Sequence, residues 1–176
     1  RDATWNSDPK IYQQTAKTAL DLGEGFLAYD ITAAGLSHFK SDPGLAQVQA
    51  LSLARTGSPE AANAALRRLA DAGHADEETL GLLARTHKDL WQLAIDEQDA
   101  KRHLKECFEL YHHAYQTTGG YYTGINAAAV GLINGKRALA RRIAREVKAL
   151  CEERLAEDCG GEYYWLAATL AEALLI

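Results

Sequence analysis

"KIYQQTAKTALDLG" (residues 10–23), followed by "EGFLAYDITAAGLSHFKSDP" (24–43), reads as two helices joined at a glycine, and the pattern returns. Thirty-four residues on, Ala16 is answered by Ala50, Gly23 by Gly57 and Ala28 by Ala62. Small residues recur where paired helices cross closely, and a glycine closes the turn between them. The second copy is "GLAQVQALSLARTG" (44–57) with "SPEAANAALRRLADAG" (58–73), in which Ser58 is placed to cap a helix and Pro59 to open it. Ala62, Ala65, Leu66, Leu69 and Ala70 then follow the spacing of one buried helix face. Pro43 marks the end of the first copy.

A third copy opens with "DEETLGLLARTHKDLW" (76–91), where Leu80, Leu83, Ala84, His87, Leu90 and Trp91 share a stripe. It continues through "AKRHLKECFELYHHAY" (100–115) with Leu104, Cys107, Phe108, Tyr111 and Tyr115. The intervening "QLAIDEQD" (92–99) makes this copy longer. "YYTGINAAAVGLINGK" (121–136) mixes tyrosines, an asparagine and three glycines, as a ligand loop would. In phase with the period it is instead a first helix, Tyr121 to Asn134, between the break at Gly119-Gly120 and a turn at Gly135. That register puts Ala140 where Ala28 and Ala62 stand, and gives the partner helix a stripe of Leu139, Ile143, Val147, Leu150 and Cys151.

A 34-residue helix pair is the period of the tetratricopeptide repeat. The expected fold is therefore all-α, a tetratricopeptide-like α-solenoid of antiparallel helix pairs with about four and a half repeats, filling residues 1–176 as one domain. The half repeat is "GEYYWLAATLAEALLI" (161–176), a first helix without its partner. Trp165, Leu166, Leu170 and Leu174 are expected to be exposed there unless another helix or a second subunit covers them, which makes the Trp165–Ile176 face a candidate homodimer contact. The chain begins at Arg1 and contains no methionine, as expected of a piece of a longer protein or of a sequence from which modified methionines were dropped.

"TLGLLARTHKDLW" (79–91) together with "YYTGINAAAVGLINGK" resembles the tetratricopeptide-type TRAF-binding region of apoptosis signal-regulating kinases and its bacterial relatives. The likeness covers residues 76–176, while 10–72 read as generic repeats. It implies a helical regulatory scaffold without catalysis of its own. No kinase signature accompanies it: there is no Gly-rich loop followed by a Lys, no H-R-D and no D-F-G. TRAF binding itself is not carried over, because no residue here identifies such a partner.

Composition narrows the function classes. Nineteen basic against 24 acidic residues give no general attraction to nucleic acid or anionic membranes, and "GKRALARRIAR" (135–145) reads as a solvated helix face. No apolar run approaches the roughly 20 residues of a membrane span. Cys107, Cys151 and Cys159 lack C-x-x-C spacing, which suits a reducing, cytoplasmic compartment.

Catalytic and cofactor readings find little support. His103, Cys107, Glu109, His112 and His113 are the densest set of metal-type ligands, yet Cys107 falls on the apolar stripe, away from His112 and His113, and no second ligand pair has metal spacing. His87 lies between Leu83 and Trp91 on its stripe, the position of a hydrogen-bonded structural histidine. Cys151 is likewise on a packing stripe. "DLGEGF" (21–26) lacks the strand and third glycine of a dinucleotide loop, and "TTGGYYTG" (117–124) lacks the Lys-Ser/Thr of a phosphate loop. No cofactor and no metal are expected.

Binding follows from the architecture, because the first helices of stacked pairs line a concave surface on which a peptide or partner helix can lie. The phase turns Lys10, Gln13, Lys17 and Asp21 inward from the first repeat, Gln47 and Arg55 from the second, Glu78 and Arg85 from the third, and Asn126 from the fourth. Each residue is read equally as a partner contact or as part of a solvated face. Asn126 stands out, since an amide inside "GINAAAV" (124–130) is costly to bury without a hydrogen-bond partner, external or internal. Two function classes follow. One is a protein–protein scaffold binding a peptide in its groove or through its last helix; the other is a ligand-sensing accessory domain of a larger signalling enzyme.

Overall fold

The computed structural model describes residues 7–157 and 160–176, so Asp158 and Cys159 lie outside the described residues. Nine α-helices account for most of the described residues, and no strand occurs among them: α1 (Pro9–Asp21), α2 (Gly25–His38), α3 (Pro43–Arg55), α4 (Pro59–Asp71), α5 (Glu77–Leu93), α6 (Glu97–Thr118), α7 (Tyr121–Ile133), α8 (Arg137–Ala156) and α9 (Tyr163–Leu175). The chain divides into two compact units, Arg1–Leu90 and Trp91–Ile176, so the division falls inside α5.

Three residues separate the members of each pair α1/α2, α3/α4 and α7/α8, and the turns are chemically the same. Gly23, Gly57 and Gly135 take φ of 84°, 86° and 75°, the left-handed region that a Cβ penalises. This lets Glu24 N–H reach Ala19 O at 2.8 Å, Ser58 reach Leu53 at 2.9 Å and Lys136 reach Gly131 at 2.8 Å, closing each first helix with a Schellman bond. The other end repeats as well. Asp8, Asp42 and Asp76, each 34 residues apart, accept backbone N–H bonds from Lys10, Leu45 and Thr79 at 2.9, 2.7 and 2.8 Å. Pro43 sits at the first turn of α3 behind the Asp42 cap, so it opens the second repeat rather than ending the first. Ser58 occupies the N-cap of α4, but its hydroxyl makes no capping bond.

In the first unit Ala16, Ala28, Ala50 and Ala62 are buried where the helices cross, with Leu20 and Val48 beside them. Leu45 and Leu66 are fully buried, while Ala65, Leu69 and Ala70 are only half-buried. In the second unit Cys107, Tyr111, Ala128, Ala140, Val147 and Cys151 form the corresponding core. Two glycines of α7 are fixed by contact. A Cβ on Gly124 would lie 2.6 Å from Val147 Cγ2 and 2.7 Å from the Tyr115 ring, and one on Gly131 would lie 2.9 Å from the Phe108 ring. "YYTGINAAAVGLINGK" is therefore a helix that must be smooth to fit between α6 and α8.

The extra length near 92–99 is absorbed by helix: α5 runs for 17 residues and α6 for 22, leaving only 94–96 between them. One expectation fails at α9. Leu166 is fully buried against the preceding pair, as are Thr169 and Ala173 in phase with it, whereas Trp165 and Leu174 remain 63% and 64% exposed and Leu170 is half-buried. The first helix of a repeat has one side for its predecessor and one for its own partner, and Leu166 lies on the former.

The first-helix face and its neighbouring clusters

Along the first helices of the opening unit, the residues singled out by phase divide into two chemical groups. Gln13 Nε2 donates to Asp42 Oδ1 at 2.7 Å, and 34 residues later Gln47 Nε2 donates to Asp76 Oδ1 at 3.1 Å and to Thr79 Oγ1 at 2.9 Å. Each glutamine thus grips the aspartate that caps the next first helix. Arg55 Nη1 donates to Leu20 O at 3.0 Å, one of the carbonyls at the end of α1. These three side chains fasten α1 to α3 and α3 to α5. Lys10, Lys17, Asp21 and Glu78 carry no such duty and are exposed, and Arg85 is half-buried.

Asp89, 34 residues after Arg55, belongs to the same face, and residue type alone does not single it out. Burial pushes its carboxyl above the usual range, against the opposing pull of Arg85 and Lys88. At the other end of α3, Leu20, Gly23, Gly25, Phe26, Arg55 and Thr56 line an open cleft of about 600 Å³. Gly25 is required there, since a Cβ would meet Thr56 Cγ2 at 2.7 Å. Behind this face α4 holds α5: Asn63 Nδ2 donates to Thr86 Oγ1 at 2.9 Å, and Arg67 Nη2 lies 3.2 Å from His87 Nε2. Arginine can only donate, so that ring nitrogen accepts, and His87 is a buried structural histidine.

Asn126 lies in the second unit and finds its partner on its own helix, donating from Nδ2 to Tyr122 O at 2.8 Å. Cys107 is buried, and Phe108 stacks on His112 with centroids 5.3 Å apart. Burial, with Arg142, Lys136 and His113 nearby, holds His112 below its ordinary value. Tyr115 donates to Glu146 Oε2 at 2.9 Å and is pushed up to about 12 by burial and by that carboxylate. Burial also raises the Cys151 thiol, despite Arg154, which makes it a poor nucleophile. No group of three or more His, Cys, Asp or Glu converges on a metal-sized site among the described residues, and no described helix is long and apolar enough to cross a membrane.

The family model described as Tetratricopeptide Repeats-Sensor matches residues 27–131. A thermophilic tetratricopeptide-repeat protein from Thermus thermophilus, known from its crystal structure, is 15% identical. It superposes with a TM-score of 0.71 over 96% of this chain and 100% of that one, a likeness of fold. A search of curated proteins gave no match.

Proposed function

The chain belongs to the Tetratricopeptide Repeats-Sensor family, and on that footing we propose that it is a non-catalytic recognition module that holds a peptide or partner helix on the first-helix face of its opening unit. The observation that carries this reading is the division of labour on that face. Gln13, Gln47 and Arg55 lock the first helices in register, while Lys10, Lys17, Asp21 and Glu78 stay exposed and Asp89 keeps a carboxyl in a setting that disfavours its charge. Charged groups on a fixed floor lose little entropy on binding and can give oriented hydrogen bonds to a peptide. A buried, perturbed carboxyl is a common mark of a functional face.

Display selection of peptides against the wild-type chain tests this. Selected peptides should lose at least tenfold in affinity against Lys17→Glu with Arg85→Glu, and keep it against Glu60→Lys on α4. Equal binding to all three chains would overturn the assignment of the face.

A second reading has its own support in the word sensor in the family's description and in the likeness of residues 76–176 to a kinase regulatory region. In it, a small ligand in the cleft beside Phe26 and Arg55 changes the behaviour of an attached domain. Thermal-shift screening distinguishes the two. Compounds that stabilise the wild type but not Arg55→Ala favour the sensor, and compounds that act alike on both do not.

A further inference from the structure

Two surfaces of this chain are apolar, charged and opposite in sign. On the first, α2 begins with Phe26, Leu27 and Tyr29 exposed to 77%, 52% and 38%, and Leu22 just before it is 74% exposed. Asp21, Glu24 and Asp30 surround these side chains in sequence and are exposed too. The nearby cation Arg55 is turned onto Leu20 O. Four large apolar side chains clustered in eight residues form a patch of the kind that marks an interface.

On the second surface, Arg137, Arg141 and Arg145 stand at four-residue intervals along α8, all exposed. Like charges at this spacing cost a few tenths of a kcal/mol per pair. The acids of α8 do not relieve it: Glu146 lies 3.8 Å from Arg142 Nε and Glu152 lies 2.6 Å from Lys148 Nζ, while Arg145 Nε donates to the Arg141 carbonyl. None of the three arginines has a carboxylate partner among the described residues. Arg141 and Arg145 line a cleft of about 390 Å³ with Ala144, Ala173 and Ile176, and the same α9 leaves Leu174 and Leu175 64% and 86% exposed. Exposed acidic Glu172 is the opposing charge on α9.

We propose that the α8–α9 face of one copy docks on the α2 face of a second copy. Three arginines meet Asp21, Glu24 and Asp30, and the apolar side chains of α9 cover Phe26 and Leu27. Complementary charge selects this pairing over α9 against α9, which would set arginine rows beside each other. Each copy carries one face of each kind, so the contact is heterologous and every added copy leaves a face for the next.

The 176-residue chain tests this by sedimentation velocity from about 5 to about 200 μM, at about 0.05 and about 0.5 M salt. The expected result is a mass that rises with concentration at low salt and falls at high salt. Arg141→Glu with Arg145→Glu is expected to be monomeric, with unchanged helical circular dichroism. Glu24→Lys with Asp30→Lys is expected to behave the same way. Mixing the two variants is expected to restore assembly, because each then offers a face opposite in charge to the other's. A monomeric wild type, assembly that survives in either variant, or a mixture that stays monomeric would each overturn the proposal.

Discussion

Asp89 and Gly124 show how single positions answer to forces that residue type does not reveal. The Asp89 carboxyl is raised because burial outweighs the attraction of Arg85 and Lys88, so its ionised form weakens the fold. The sign follows: a folded value above the unfolded one contributes stability below the ordinary carboxylate range, and this is lost as pH rises through the folded value. Asp89→Asn should therefore raise the melting temperature at pH 7 by about a degree, a small effect because the group is still partly solvated. The gain should vanish near pH 3, and calorimetry at both values checks it. Gly124→Ala should cost about 1–3 kcal/mol, since the added methyl meets Val147 and Tyr115 within van der Waals distance, and urea denaturation measures it. The glycine is legible in the sequence as a smooth helix position, whereas nothing in the sequence sets the solvation of Asp89.

At the scale of the element, each repeat is built from a few parts in fixed order: an aspartate cap, a first helix, a Schellman glycine and a second helix. The glutamines extend this set, because Gln13 meets Asp42 as Gln47 meets Asp76, both 29 residues apart. Asp76→Ala removes a cap and a clasp together and should cost about 1–2 kcal/mol. A double-mutant cycle with Gln47→Ala should return a coupling of about 0.5–1.5 kcal/mol. Coupling near zero would mean that the clasp is exchanged for water without loss. Helix phase turns both glutamines toward the first-helix face, where the structure finds them bonded to the next repeat. Phase says which way a side chain points but not how far its neighbour is, so the aspartate that satisfies each amide stays hidden in the sequence. Asn126 is the same lesson within one helix, its amide turned back to Tyr122 O.

Across the whole molecule, stability should be additive between neighbours, because each helix pair of a repeat array contacts chiefly the next. Gly124→Ala is then expected to speed amide hydrogen exchange in α7 and α8 while leaving α1 and α2 nearly unchanged; uniform acceleration would mean that the chain opens as one cooperative block. The sequence by itself determined the helical class, the repeat, its turn glycines and the buried alanines. Propensity, turn chemistry and close helix crossing all act within one 34-residue period and so leave a periodic trace. Only the tertiary structure decided which polar groups on the first-helix face are already bonded, that Leu166 is covered while Trp165 is not, and that exposed apolar side chains gather on α2 beside acids and on α9 beside arginines. Those outcomes depend on distances between helices from different repeats, which local pattern does not encode.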